Sequence, residues 1–215
     1  SFSLDFMFGL PQQTVSTWED DLEVIASFEA PHLSVYGLTV EPKTALERRV
    51  HRGTVNVASD ESAAAMLFAA RRILQTYGYR HYEVSSYAQP GFRARHNSAY
   101  WLMKPYVGLG AGAHGFDGVR RWVNIKRPKH YIRSAGEGIF EASSETLDPM
   151  TLSFERVMTG LRDLERGVDL AFDLERYRDA VELELNRGRI VQQGTRIRLN
   201  ELGLRFMDDV LLSFA

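Results

Sequence analysis

Residues 2–8 (FSLDFMF) alternate between two faces, with Leu4, Phe6 and Phe8 on one and Asp5 and Met7 on the other, which predicts a half-buried strand. The following GLPQQT cannot continue it. From about residue 15 to residue 28 the apolar spacing lengthens to four and three (Trp18, Leu22, Ile25), which predicts a helix. Ser16 and Glu19 stand in capping-box spacing at its start, and Pro31 ends the segment. A second strand is predicted over 32–40 (HLSVYGLTV) and a short charged helix near 44–50. Ser59, Asp60 and Glu61 then open a long helix with Met66, Ala70, Ile73 and Tyr77 on one face and Gly78 as its stop. Residues 79–87 read as a third strand. This β-α-β-α-β order implies parallel strands joined by right-handed crossovers, with the chemistry on the loops after the strands: GLPQQT, TVEPKT and SSYAQPG. Three strands make only an open, half-covered sheet, so the segment reads as the later part of a larger α/β barrel.

Past residue 116 the pattern changes. Arg121, Lys126, Arg127 and Lys129, interleaved with Trp122 and Tyr131, read as a basic connector. A helix is predicted over 148–164, with Leu152, Val157, Met158 and Leu161 among its apolar positions, then a turn at 167–169 and a helix over 174–186. RIVQQGTRIRL reads as a hairpin turning at Gly194, and a last helix runs over 200–213 with Leu204, Met207, Val210 and Leu211 inward. Helices, a small hairpin and a closing helix resemble a winged-helix arrangement. Arg187, Arg189, Arg196 and Arg198 would be its phosphate contacts, since nucleic-acid affinity leans on Lys and Arg. Glu182, Glu184, Glu201, Asp208 and Asp209 surround them, so a packing role is the better reading and no nucleic-acid partner is expected.

Composition narrows the class. With 44% hydrophobic and 25% charged residues in 215, the chain suits a soluble globular protein of one large domain or one large and one small. A net charge of −2 exerts no general pull toward nucleic acid or an acidic membrane. No apolar run approaches the roughly 18 residues of a membrane span, and no signal peptide is visible, which makes the cytoplasm the default location. With no cysteine, these residues form no disulfide, thiolate nucleophile or Cys-ligated metal site. The chain lacks an initiator Met and begins in a strand, as expected of part of a longer protein.

The candidate chemistry crowds into 79–115, YRHYEVSSYAQPGFRARHNSAYWLMKPYVGLGAGAHG. His96 and Tyr100 share a face if Asn97 lies in a helical turn, and Trp101 follows. An imidazole beside aromatic rings suits a planar, metal-bearing ligand; on the residues alone, a core histidine bonded to a backbone carbonyl is the stronger alternative. Glu83 either faces a barrel interior, bonding a cofactor or an arginine, or forms a structural ion pair. Asp5 is either a hydrogen-bond acceptor for a ligand such as a ribose, or an inert carboxylate salt-bridged at a frayed strand end. Gly110-Ala-Gly112-Ala-His-Gly115 matches the dinucleotide pattern, but no helix start follows, so the small residues more simply let backbone pass close to a flat ligand or another strand. His114 is assigned a structural role.

LDFMFGLPQQT, HLSVYGLTVEP, YEVSSYAQPGFRARHNSAYW and YVGLGAGAHG, in that order, resemble the coproporphyrinogen III oxidase-like radical S-adenosylmethionine family, and in particular its haem-chaperone (HemW) branch. The resemblance runs through nearly the whole chain, and the block from HNSAYW to GAGAH is its most specific part. It implies the later part of a partial (β/α)6 radical-SAM barrel with the following glycine-rich segment over 1–127, and a mostly helical, winged-helix-like C-terminal domain over 128–215. Asp5 stands where the family places an aspartate on S-adenosylmethionine, and His96, Asn97, Tyr100 and Trp101 match a motif associated with haem, with His96 as the candidate iron ligand. The implied activity is to hold haem and deliver it to haem-dependent proteins at the respiratory membrane. The alternative is the related oxygen-independent coproporphyrinogen III oxidase, a radical decarboxylase. One departure stands out. The family's C-x-x-x-C-x-x-C loop for its [4Fe–4S] cluster has no counterpart among these residues, so no catalytic residue is assigned in this chain and the cluster's ligands are expected outside it. An exposed strand edge at 2–8 points to self-association, as in a homodimer.

Overall fold

The computed structural model describes residues 1–215, which form two compact units, Ser1–Ala94 and Arg95–Ala215. In the first, strand β1 (Ser3–Phe8) turns Leu4, Phe6 and Phe8 toward the core and leaves Asp5 and Met7 exposed, as the alternation predicts. Helix α1 (Val15–Ser27) buries Trp18, Leu22 and Ile25, and the Trp18 indole N–H donates to the Met66 carbonyl at 3.0 Å. Its capping box is Thr14 with Thr17, not Ser16 with Glu19. The box sits two residues earlier because Thr14 is the last extended residue, while Glu19 is drawn to Arg72 across the helix pair. Strand β2 (His32–Gly37) pairs with β1 in parallel. Thr44 caps α2 (Ala45–His51), and Ser59 caps α3 (Asp60–Thr76), which buries Met66, Ala70, Ile73 and Leu74. Tyr77 does not join them: it is the C-cap, and its exposed phenol donates to Glu23.

The third strand is instead a hairpin, β3 (Arg80–Glu83) and β4 (Ser86–Ala88), turning at Val84 and Ser85. The sheet order is β1-β2-β4-β3, with β4 antiparallel to both neighbours, so the sheet is mixed rather than wholly parallel and remains open rather than closed into a barrel. Because β4 returns directly onto β2, that edge is paired without a further crossover.

The second unit begins with α4 (Arg95–Trp101). A three-stranded antiparallel sheet follows, β5 (His114–Phe116), β6 (Arg120–Asn124) and β7 (Glu141–Thr146), with α5 (Pro128–Ala135) between the last two. Of the residues read as a basic connector, Arg121 and Trp122 thus lie in β6 and Lys129 and Tyr131 in α5. Arg120 pairs with Glu141 and Arg121 with Glu145 across β6 and β7, and Arg121 also pairs with Glu155. Asp148 caps α6 (Pro149–Gly160). The expected turn at 167–169 carries a short strand, β8 (Val168–Asp169), followed by α7 (Arg178–Asn186), β9 (Ile190–Gln193) and β10 (Arg196–Leu199) in the order β8-β10-β9. The closing helix is two short ones, α8 (Glu201–Arg205) and α9 (Met207–Leu212), because Phe206 leaves helical geometry at φ −115, ψ 35. Helix, strand, helix and hairpin in this order are the winged-helix arrangement.

Candidate functional sites

In the first unit the polar chemistry lies on the sheet face opposite Leu4, Phe6 and Phe8. Register places Ser3 opposite His32 and Asp5 opposite Ser34, and β4 adds Ser86 opposite Ser34. A chain of hydrogen bonds crosses this face: Ser3 Oγ to His32 Nδ1 at 2.8 Å, His32 Nε2 to Tyr82 Oη at 2.9 Å, and the Ala94 N–H donating to Tyr82 Oη at 3.2 Å. Arg93 covers the Tyr82 ring at 5.1 Å. Burial pushes the His32 pKa down, against the opposing pull of the Asp5 charge, so the ring is neutral and links a hydroxyl at each nitrogen. Asp5 is exposed and in no ion pair, and β1 is paired with β2 from Ser3 to Phe8, so the picture of a salt-bridged carboxylate on a frayed end does not hold. Its oxygens are free to accept from a ligand. Glu83 is 2% exposed, and the Ser85 hydroxyl donates to it at 3.3 Å.

In the second unit α4 does bring His96 and Tyr100 together, with ring centroids 4.6 Å apart and planes 75° from parallel. Tyr100 meets Tyr106 edge-on at 4.6 Å, and Tyr106 leans on Phe116 at 6.3 Å. His96 is exposed, which removes the alternative of a core histidine. Trp101 turns the other way, under the Arg162 guanidinium at 5.4 Å, with its indole N–H buried and unpartnered. Asn97 is partly buried on the same helix. Burial raises the Tyr106 pKa, so its phenol stays protonated.

The glycine run leads into β5, not into a helix, which agrees with its rejection as a nucleotide loop. A Cβ on Gly115 would stand 2.2 Å from the Trp122 ring, and one on Gly108 would stand 2.1 Å from the His114 carbonyl oxygen. The backbone therefore passes against another strand and a tryptophan. Asn124, fully buried, ties this loop down by donating from Nδ2 to the carbonyls of Gly108 (3.0 Å) and Gly110 (2.9 Å). Tyr131 accepts the Gly110 N–H at 3.2 Å. Beside it lies an open groove of about 650 Å³ lined by residues that include Tyr106, His114, Val123, Ser143, Arg121 and Glu145. His114, assigned a structural role from the sequence, is exposed in this groove. Tyr106 opens the YVGLGAGAHG stretch but was assigned no role from it, and Asn124 lies outside every quoted motif, its only local signal being the alternation of RRWVN.

No family model matches the chain. Curated relatives do. A haem chaperone HemW from Mycobacterium tuberculosis is 36% identical over 97% of this chain and 54% of its own length. The one from Haemophilus influenzae is 30% identical over 100% and 57%, and the one from Bacillus subtilis 40% over 61% and 35%. Among solved structures, a coproporphyrinogen III oxidase (HemN) from Escherichia coli, described as a radical SAM enzyme, superimposes with a TM-score of 0.75 at 17% identity, over 99% of this chain and 54% of that one. The chain spans about half the length of the curated relatives it matches. The fold is that of the Escherichia coli coproporphyrinogen III oxidase, and the chain belongs to the haem chaperone HemW family. These 215 residues do not fit the family's cluster: they contain no cysteine and bring no group of three or more His, Asp or Glu together.

Proposed function

We propose that the protein carrying this chain binds haem and passes it to haem-dependent acceptor proteins. The observation that supports this most is the exposed His96 imidazole set edge-on against Tyr100, at the head of an aromatic row that runs through Tyr106 to the open groove. Neutral imidazole is a good iron ligand and the rings offer flat contact area, so the residues present fit a metal-bearing planar cargo. His96 is the proposed iron ligand, with Tyr100 supporting it and Asn97 and Trp101 shaping the helix that carries it. Asp5 is proposed to accept a hydrogen bond from S-adenosylmethionine, with the [4Fe–4S] ligands supplied outside these residues. Acceptors at the respiratory membrane, a cytoplasmic location and a homodimer belong to the same reading; no helix of the chain is long and apolar enough to cross a membrane itself. In a titration of full-length protein with haem followed at the Soret band, His96→Ala is expected to weaken binding about tenfold or more, by analogy with the loss of a group supporting a metal. Binding equal to wild type would remove His96 from the site.

The likeness in fold to the Escherichia coli enzyme favours a second reading, oxidation of coproporphyrinogen III. Reconstituted full-length protein given reductant, S-adenosylmethionine and coproporphyrinogen III is expected to release no decarboxylated product. Turnover comparable to a true oxidase would make the enzyme reading the correct one.

A further inference from the structure

The strands of the second unit's sheet place three side chains in one row: His114 opposite Val123, and Val123 opposite Ser143. The next row on the same face is Phe116, Arg121 and Glu145. Tyr106 forms a bridge to Phe116 on the outer side of β5, so its ring stands at the edge of that face. These two rows, apart from the buried Phe116, and Tyr106 supply the side chains of the groove; its other lining residues, Trp122 and Ser144, alternate to the opposite face, where the indole lies across Gly115. The groove floor is thus a small polar and apolar patch, with an aromatic wall on one side and an ion pair, Arg121–Glu145, on the other.

Two features make this more than a surface dent. Its volume, about 650 Å³, lies within the range of sites that take cofactor-sized ligands, about 300–1,000 Å³. Its floor also presents an exposed imidazole, and an exposed imidazole on a rigid strand is a ready metal ligand. Backbone packing holds that strand closely: the His114 carbonyl lies where a Cβ on Gly108 would be, and the Ala113 carbonyl accepts the Asn124 N–H at 2.8 Å. Tyr106 joins the groove to the row that begins at His96, so the two exposed imidazoles lie at either end of the Tyr100–Tyr106 pair.

We propose that the groove between Tyr106 and the Arg121–Glu145 pair is where the planar ring of the cargo lies, and that His114 is a second imidazole meeting its metal. This rests on the reading of the protein as a haem carrier and adds to it a place and a residue. Tyr106 supplies the flat contact, Ser143 a hydroxyl at the floor, and His114 the metal bond.

The test uses full-length protein and two probes, haemin and metal-free protoporphyrin IX, with affinities read by fluorescence quenching and absorbance. Wild type is expected to bind both. His114→Ala changes an exposed side chain, and its fold is checked by circular dichroism. It is expected to lower haemin affinity about 10- to 100-fold while leaving protoporphyrin affinity within about twofold, because only the metal bond is lost. Ser143→Trp, which fills the groove, is expected to weaken both probes. Equal haemin affinity in wild type and His114→Ala, or an equal loss for both probes, would overturn the metal role of His114. Should His96→Ala abolish haemin binding while Ser143→Trp and His114→Ala leave it intact, haem carriage would stand and the groove would not. If wild type bound neither probe, both readings would fall together.

Discussion

His81 shows how burial sets a single residue's behaviour. Its ring lies flat on Tyr87, centroids 4.2 Å apart and 7° from parallel, with Nε2–H donating to the Val84 carbonyl at 3.1 Å and Nδ1 buried without a partner. Burial pushes its pKa down to about 4, with the Arg71 charge acting in the same direction and the Val84 bond against it. An unfolded histidine titrates near 6.5, so between about pH 6.5 and about pH 4 the unfolded chain binds more protons than the folded one. Stability from the neutral ring is therefore complete above that window and falls as pH drops through it, by about 3 kcal/mol in all. Urea midpoints measured across this range should fall toward acid in wild type and fall less in His81→Phe; parallel curves would remove His81 as the cause. At this scale the sequence was informative where spacing alone decides: His96 and Tyr100 meet because they are four apart on α4. It was uninformative where a competing cap stands two residues away. The structure caps the helix with Thr14 and Thr17, and Glu19 is taken up by Arg72 on another helix, a partner no local window contains.

Among the elements, the long helices were legible because α1 and α3 bury one apolar face each, at helical spacing. The short strands were not. β7, EASSET, has only polar side chains beyond its alanine and is mostly exposed, and the turn between β3 and β4 falls on Val84 and Ser85 with no Gly, Asn or Pro to mark it. What holds the second unit's sheet to the glycine loop is Asn124, whose two donations secure Gly108 and Gly110. Asn124→Ala is expected to cost about 1–3 kcal/mol, because two carbonyls lose their donors inside the fold. Chemical denaturation followed through Trp122, which sits on the same strand, is the measurement; a loss below about 0.5 kcal/mol would mean that the loop is held by backbone bonds alone.

For the molecule as a whole, the winged-helix arrangement raises nucleic-acid binding, and charge argues against it. Arg187 and Arg189 are engaged by Glu184, Arg189 also by Asp209, and Arg196 by Asp169, which leaves Arg198 as the member of the set with no carboxylate within ion-pair distance. A net charge of −2 adds no general attraction. Electrophoresis of duplex DNA with the protein at low salt is expected to show no retained complex. A salt-sensitive shift that disappears in Arg196→Ala with Arg198→Ala would reverse this and make the hairpin a working wing.

The sequence by itself determined the long helices α1 and α3, the face of β1 that Asp5 shares with Met7, the pairing of His96 with Tyr100, the want of any thiolate and, through its motifs, the family. These depend on residue type and on separations of a few positions, which local geometry converts directly into faces and neighbours. Only the tertiary structure decided that the third strand folds back as a hairpin, that Arg120 and Arg121 belong to a sheet, that the Ser3–His32–Tyr82 chain crosses the open face, and that His114 lies in a groove beside Tyr106. Each of these brings together residues far apart in the chain, or turns on which neighbour satisfies a backbone group. That competition is settled by packing and hydrogen bonding across the whole unit, not by any stretch of sequence read alone.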